Sequence, residues 1–201
     1  MPDFRVHGVS PLGELDADPT GGTLMGNRGR LMDADGNRIR RWQGKGWITC
    51  RPFEPPAPGD LKPPRMYTRL SFLDDATACA AGHRPCGKCR HADMKAFHAH
   101  WLECHPHDTT MSALDTRLHD ERTRPEKQTV ICAELPYGAM ISLEGRPWLV
   151  VEDGLYAWNH DGYSDPRAFP PGHVDVLTPP STVAAMRAGW RPRCITMPAD
   201  S

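Results

Sequence analysis

The chain has 201 residues and a nearly balanced charge, since 24 lysine and arginine residues face 25 aspartate and glutamate residues, for a formal net charge of -1. A local basic strip survives this balance, because residues 28–51 contain seven lysine and arginine residues against two aspartates. No apolar run approaches the roughly 20 residues that a membrane span needs. Seven cysteines are an odd number and no apolar signal segment opens the chain. We therefore expect a cytoplasmic, reduced protein whose clustered cysteines bind metal rather than form disulfides.

The N-terminal part predicts short elements joined by loops. Residues 1–22 contain several prolines and two consecutive glycines, which predicts an irregular arm. Residues 23–42 predict a hairpin whose turn contains the Asp35-Gly36 pair, because this dipeptide favours tight hairpin turns. The six prolines between residues 52 and 64 then predict a surface loop.

A strand and a short helix are predicted after this loop. Residues 66–73 alternate well enough for a strand. Asp74 or Asp75 can cap a short helix that ends at Gly82, since carboxylates accept from free N–H groups and glycine adopts the left-handed conformation that closes helices.

The segment 91–105 predicts the longest helix of the chain. At about 100° per residue, one face gathers apolar side chains and the neighbouring face gathers histidines. The histidine stripe is either the polar flank of a half-buried helix, which we favour, or a second metal or acid–base cluster. The apolar face comprises Met94, Phe97, Trp101 and Cys104, and the histidine stripe comprises His91, His98 and His105.

The last third of the chain changes character. A polar helix over 112–122 is followed by a break at Pro125, where we place a domain boundary. Beyond it, short apolar runs separated by Gly-containing turns predict an antiparallel sheet or barrel, and a short helix over 181–188 ends at Gly189. The predicted strands are 129–131, 139–143, 148–151 and 155–158.

The sequence thus predicts an α+β fold. The irregular arm over 1–22 precedes a small α/β domain over 23–125 that is stapled by zinc. A small antiparallel β-rich domain with a terminal short helix follows over 126–201.

Three cysteines carry the metal prediction. Cys86 and Cys89 form a Cys-X2-Cys knuckle, in which the backbone can fold so that both sulfurs reach one ion. Two cysteines make only half of a structural zinc site. Cys50, which follows the strand-like segment Trp47-Ile48-Thr49, supplies a further thiol.

These motifs occur in an order that resembles a known family. Asp35-Gly36, then Cys50-Arg51-Pro52, then 70–73, then the knuckle segment 81–90 are similar to the zinc domain of the Ada family of DNA alkylation-repair proteins. The similarity covers roughly residues 33–91. It implies a DNA-binding domain in which four cysteines hold Zn²⁺ and the first accepts a methyl group from a DNA phosphotriester in a single turnover. By position, Cys50 would be that nucleophile, with Cys86 and Cys89 as supporting ligands.

The sequence departs from the family at its second cysteine, which is Glu54 here. Glu54 could supply an oxygen ligand, since zinc accepts carboxylate at about 2.0 to 2.2 Å. Alternatively another side chain completes the set, or the fourth position is open to water or substrate. Loss of one thiolate should weaken the nucleophilicity of Cys50. The other candidates are His83, His91, Cys79 and Cys104.

Cations lie beside the cysteines and in the segment before them. A phosphate bound there would meet several donors next to a metal centre, and Trp42 and Trp47 suit stacking on a groove or an unstacked base. Solvated charges around a structural zinc are the simpler alternative. The predicted nucleic-acid contacts are Arg40, Arg41, Lys45, Arg51, Arg84, Lys88 and Arg90.

Three functional hypotheses follow. The first is an Ada-like module that binds zinc and DNA and accepts an alkyl group on Cys50. The second is a metal-dependent hydrolase or nuclease that uses an open zinc position, with a histidine or Glu121 as base. The third is a module in which zinc only staples a weakly cored fold.

Overall fold

A computed structural model describes residues 6–16, 22–33, 35–52 and 67–195. Over these residues the chain is α+β, as predicted, with four α-helices and two six-stranded sheets. The second sheet is antiparallel and a short helix follows it, which also agrees with the prediction. None of the described helices combines the length and the apolar character needed to cross a bilayer.

The first sheet is mixed and has the order β2-β1-β5-β3-β4-β6. Pairs β1–β5 and β4–β6 are parallel and the other three pairs are antiparallel. Its strands are β1 (His7–Val9), β2 (Leu15–Asp16), β3 (Leu24–Asn27), β4 (Ile48–Cys50), β5 (Leu70–Phe72) and β6 (Arg84–Pro85).

Two predictions for the N-terminal part are wrong. The predicted arm is not irregular throughout, because β1 and β2 lie within it. The predicted hairpin is reduced to a single bridge between Met32 and Arg38, since β3 pairs with β4 and β5 instead. The Asp33 side chain accepts from the backbone N–H groups of Asp35 and Asn37, at 3.0 and 2.8 Å, and so holds the loop locally without a strand ladder.

Helix α1 (Asp75–Ala80) confirms the predicted cap and stop. The carboxylate of Asp74 accepts from the N–H of Thr77 at 2.9 Å and from its hydroxyl at 2.8 Å. Gly82 closes the helix with a φ of 79°, and its N–H donates to the carbonyl of Cys79. All six residues of the helix are buried, so it is a core element despite its short length.

Helices α2 (His91–Cys104) and α3 (Met111–Thr123) also lie where they were predicted. Met94, Phe97 and Trp101 form the buried face of α2. Cys104 was predicted on this face, but that prediction is wrong. It is the last residue of the helix and is exposed.

The second sheet has the order β11-β10-β9-β8-β12-β7. All four predicted strands are present, and two further strands were not predicted. The helix predicted at 181–188 is α4 (Pro180–Arg187), closed by Gly189 with a φ of 115°. The strands are β7 (Gln128–Ile131), β8 (Met140–Leu143), β9 (Arg146–Val150), β10 (Leu155–Asn159), β11 (Gly162–Arg167) and β12 (His173–Val176).

Side chains from both sides of Pro125 share one core. The largest buried cluster includes Phe97 and Trp101 of α2 together with Trp148 and Trp190. Polar contacts also join α1 to the second sheet, since the indole of Trp158 donates to Thr77 at 3.0 Å and the hydroxyl of Tyr163 donates to Asp74 at 2.8 Å. The domain division at residue 125 stays a prediction, but α1 contacts both sheets, because its Ala78 also packs with Leu70 and Phe72 of β5.

Candidate metal centre

The three predicted cysteines converge. The Sγ atoms of Cys50, Cys86 and Cys89 all lie within 4.8 Å of one another, close enough to bind one metal ion. Cys86 is buried, and Cys50 and Cys89 are partly exposed. The prediction that these residues share one site is therefore met by the positions of their sulfur atoms.

A parallel strand pair brings Cys50 to the knuckle. Thr49 of β4 is paired with Pro85 of β6, and the N–H of Cys86 donates to the carbonyl of Thr49 at 2.9 Å. Cys50 and Cys86 each follow one of these paired residues, so the sheet register places them side by side.

The knuckle then turns directly into α2. The backbone N–H of Lys88 points at the Cys86 sulfur at 3.4 Å, and the N–H of Arg90 donates to the Cys86 carbonyl at 3.0 Å. This is the arrangement expected of a Cys-X2-Cys metal turn. Cys89 lies two residues before the start of α2, so the knuckle and the first turn of this helix are continuous.

The thiols differ in their electrostatics in the absence of metal. Burial raises the pKa of the Cys50 thiol well above its usual value, and the neighbouring Cys89 and Cys86 add to this effect. Burial would also raise the pKa of Cys86, but hydrogen bonds from the backbone of Cys89 and Lys88 outweigh it and lower this pKa. Metal-free Cys50 is therefore a neutral thiol at pH 7.

Arg90 is part of the frame of this site. Arg90 is 4% exposed, and its guanidinium makes a two-point contact with Asp75, at 2.7 and 2.9 Å. It also donates to Asp93 at 2.9 Å and to the hydroxyl of Thr49 at 2.8 Å. One side chain thus joins the residue before Cys50, the first residue of α1 and the first turn of α2.

Arg84 is held in a similar way. Arg84 is only 7% exposed, and its guanidinium contacts both carboxylate oxygens of Asp115 on α3, at 2.7 and 2.8 Å. It also donates to the carbonyl of Pro85 at 3.1 Å. Arg84 and Arg90 were predicted as phosphate contacts, but their donor groups are engaged inside the protein.

The other predicted nucleic-acid contacts lie on the surface. Arg51 and Lys88 are exposed next to the cysteines, and Arg51 lines a cleft of about 360 Å³ together with Arg193 and Asp93. Arg40, Arg41 and Lys45 are exposed before β4.

The predicted fourth ligands that the structure describes lie elsewhere. Cys79 is buried in the core with α2, and His83 is buried with its Nδ1 against the carbonyl of Ala81 at 3.1 Å. Cys104 is exposed at the far end of α2, 3.3 Å from the carbonyl of Ala184. These residues do not complete the site, because the elements that hold them direct them into the core or away from β4.

His91 and Glu54 complete the set of predicted ligands. His91 is exposed, with Nδ1 3.3 Å from the carbonyl of Gly87, and it is not within reach of all three sulfurs. Glu54 lies outside the described residues, as does the whole of 53–66. Among the described histidine, cysteine and acidic residues, no fourth side chain joins the cluster.

The histidine stripe of α2 forms no second metal cluster within the described ranges. His98 lies with Nε2 3.2 Å from the carbonyl of Asp108, and the ring of His105 packs 5.0 Å from that of Trp101. Both are polar flanks of a half-buried helix, which was the favoured interpretation.

The residues that support the site were not predicted from the sequence. Asp75 was predicted only as a possible helix cap and Asp115 was not singled out, although they hold Arg90 and Arg84. The available signal was an acidic residue in each of two predicted helices, which does not identify the arginine it meets.

Comparisons with protein-family models, with curated proteins and with solved structures find no match for this chain. The resemblance to the Ada zinc domain consequently stays a prediction that depends on the motifs alone.

Proposed function

We propose that this protein binds Zn²⁺ through Cys50, Cys86 and Cys89, binds DNA beside that centre, and accepts an alkyl group on Cys50. The observation that carries the proposal is the convergence of the three sulfur atoms, which come from two separate segments of the chain.

The donor set fits zinc. Thiolate sulfur at about 2.3 Å and tetrahedral geometry are usual for this ion, which places two sulfur ligands about 3.8 Å apart. Sulfurs that lie within 4.8 Å of one another need only small shifts to meet this geometry. The fourth ligand is Glu54 or water in this proposal, since the other described candidates lie elsewhere.

Cys50 is the thiol best placed to react. It is more exposed than Cys86, and the next residue, Arg51, lines the cleft of about 360 Å³. Burial raises the pKa of Cys50 and so favours its protonated thiol near neutral pH. When bound, zinc would keep this sulfur deprotonated. A lone pair of that sulfur would attack the methyl carbon of a phosphotriester, so that an S–C bond forms, the C–O bond breaks and the phosphodiester leaves with the electron pair.

Exposed cations support a DNA partner. Arg51 and Lys88 flank the cysteines, and their exposed positions suit contacts with phosphate oxygens. Arg84 and Arg90 support the same function indirectly, because they fix the strands and the helix that carry the cysteines.

The hydrolase alternative has weaker support. Glu121, its suggested base, accepts from the backbone N–H of Ser181 at 3.0 Å and from its hydroxyl, so it is engaged at the start of α4. The structural alternative is consistent with the way the cysteines connect β4, β6 and α2. It differs from the proposal in predicting neither DNA binding nor a reaction at Cys50.

Metal analysis and mass spectrometry separate these possibilities. The native chain should contain one zinc per molecule and gain one methyl group on Cys50 after incubation with DNA that carries methylphosphotriesters. Cys50→Ala should lose both, whereas Cys104→Ala, which removes an exposed cysteine outside the cluster, should keep both. Zinc without any adduct would favour the structural role, turnover of DNA without an adduct would favour the hydrolase, and absence of zinc would overturn the proposal.

A further inference from the structure

Two arginines enclose Trp47 at the opposite end of β4 from Cys50. The guanidinium carbon of Arg122 lies 3.7 Å from the centre of the Trp47 ring and that of Arg28 lies 5.1 Å from it. Trp47 is 5% exposed, Arg28 is only 2% exposed, and Arg122 is partly buried. Two cations therefore share one buried aromatic ring.

These cations have no carboxylate partner among the described residues. Arg28 donates to the carbonyl of Gly13 at 3.0 Å, and Arg122 donates to the carbonyls of Gly82 and Lys45. The Nε atoms of both arginines are buried without a hydrogen-bond acceptor. Neutral carbonyls satisfy part of the hydrogen bonding, but in the described part of the chain no carboxylate contacts either guanidinium.

The electrostatic cost is visible in the pKa values. Burial, with repulsion from Arg38 and Arg41, lowers the pKa of Arg28 to about 10. Burial, only partly offset by Asp115, lowers the pKa of Arg122 to about 9, and repulsion from Arg28 adds to the lowering. Both groups remain charged at pH 7, and within the described residues neither charge meets a carboxylate directly.

Both arginines line a cleft of about 730 Å³ that is rich in positive charge. Trp42 forms part of its wall, and its ring lies 5.9 Å from that of Trp47. Three acidic residues also line the cleft, of which Glu121 is bound to Ser181. The other cations of the cleft are Arg38, Arg41, Arg124 and Lys127, and the other acids are Glu14 and Glu126.

We propose that this cleft binds a phosphate group, with Arg28 and Arg122 as its principal partners. Arginine presents parallel donors that match phosphate oxygens, and an anion would neutralise charges whose burial is costly when they are unpaired. The site is distinct from the cysteine centre, since three residues of extended chain, about 10 Å, separate Trp47 from Cys50.

The phosphate could belong to a small phosphomonoester or to the backbone of a nucleic acid. Trp42 offers a partly exposed aromatic face on which a base or another ring could stack in either case. Both sources present a phosphate group. One phosphate would be sufficient for binding a small phosphomonoester, whereas binding of a nucleic acid would need more than one.

Thermal unfolding and calorimetry with inorganic phosphate test the proposal. Phosphate should raise the midpoint of unfolding of the native chain more than chloride at equal ionic strength, with one phosphate bound per chain. Arg28→Met should raise the midpoint without phosphate, because it removes a buried charge that no described carboxylate contacts, and should weaken phosphate binding about tenfold or more.

Matched variants keep this test decisive. Arg41→Met changes an exposed residue of the cleft, should fold normally and should weaken phosphate binding several-fold. Arg146→Met removes an exposed arginine that lies over another tryptophan, Trp148, and should leave binding unchanged. Equal phosphate binding in the native chain and in both cleft variants, or no response beyond that of chloride, would overturn the proposal.

Two further measurements identify the source of the phosphate and test whether the cleft is independent of the cysteine centre. A ten-residue oligothymidylate that displaces phosphate at much lower concentration would assign the cleft to nucleic acid, whereas equal potency per phosphate would assign it to a small ligand. Cys50→Ala should retain the phosphate response, so the cleft can fail or succeed independently of the cysteine centre.

Discussion

Two pairs of buried or partly buried arginines illustrate how the same side chain can take opposite roles. Arg84 and Arg90 each meet a carboxylate at two points, and both hold elements of the cysteine centre in place. Arg28 and Arg122 meet carbonyls and the face of Trp47 but no described carboxylate. Burial alone does not distinguish a structural cation from one that can bind a ligand. The distinguishing feature is whether a carboxylate inside the protein contacts the cation.

The largest expected effect tests the structural pair. Asp75→Asn should lower the free energy of unfolding by about 3 to 5 kcal/mol, because it leaves the buried guanidinium of Arg90 without its principal counter-charge. Urea unfolding followed by tryptophan fluorescence measures this change.

An exposed ion pair provides the control for Asp75. Glu152→Gln breaks a contact of 3.0 Å with Arg191 in which both side chains are exposed, and it should cost less than about 1 kcal/mol. If Asp75→Asn costs no more than this control, Arg90 does not depend on its partner and the distinction between the two pairs fails.

The difference between these pairs also explains what the sequence could predict. The cysteine knuckle is visible because its two ligands are three positions apart, and Cys50 follows a recognisable strand. Arg84 and Arg90 resembled phosphate contacts because they adjoin cysteines. Their carboxylates lie 31 and 15 residues away, so only the folded chain reveals those ion pairs.

The two strands that were not predicted from the sequence, β11 and β12, escaped prediction for a similar reason. Strand β11 is an edge strand that contains Pro166, a residue that argues against a strand when only the local sequence is considered. Strand β12 has only four residues and is buried at alternate positions by its neighbours β7 and β8. Pairing partners define both strands more than their own composition does.

Removal of the proposed zinc should have the next largest effect. At free zinc 100 to 1000 times its Kd, binding adds about 3 to 4 kcal/mol to the free energy of unfolding, and a chelator removes this contribution. Cys50→Ala should show little dependence on chelator. The phosphate response of the cleft lined by Arg28 and Arg122 should persist after chelation. Its loss would show that this cleft depends on the cysteine centre.

Arg28 and Arg122 should also produce a pH dependence of stability through His83. Burial, with repulsion from Arg28 and Arg122, holds the pKa of His83 well below 6.5, and its Nε2 has no acceptor for a second proton. The unfolded chain thus binds a proton more readily than the folded chain. Stability should be lost as pH falls below about 6.5, by up to about 1.4 kcal/mol per pH unit.

His83→Phe isolates this contribution. The ring packs 4.6 Å from Phe72 and 5.2 Å from Trp47, so a phenyl group suits its surroundings. The variant should lose part of the slope of unfolding free energy between pH 6.5 and 5.5. An unchanged slope would contradict the assignment of a neutral, proton-resisting histidine to this site.

The smallest expected change in stability tests how Arg90 supports the cysteines. Thr49→Val removes the hydroxyl that accepts from Arg90 at 2.8 Å, one residue before Cys50, and should cost about 1 kcal/mol. Since supporting hydrogen bonds orient metal ligands, zinc affinity should fall about 10-fold or more, as measured by competition with a chelator. Thr178→Val is the matched control, because it removes a buried hydroxyl that accepts from the backbone of Met140 in the second sheet. Both variants should lose similar stability, and only Thr49→Val should weaken zinc binding; an equal loss of affinity in both would mean that Arg90 stabilises the fold without orienting the metal centre.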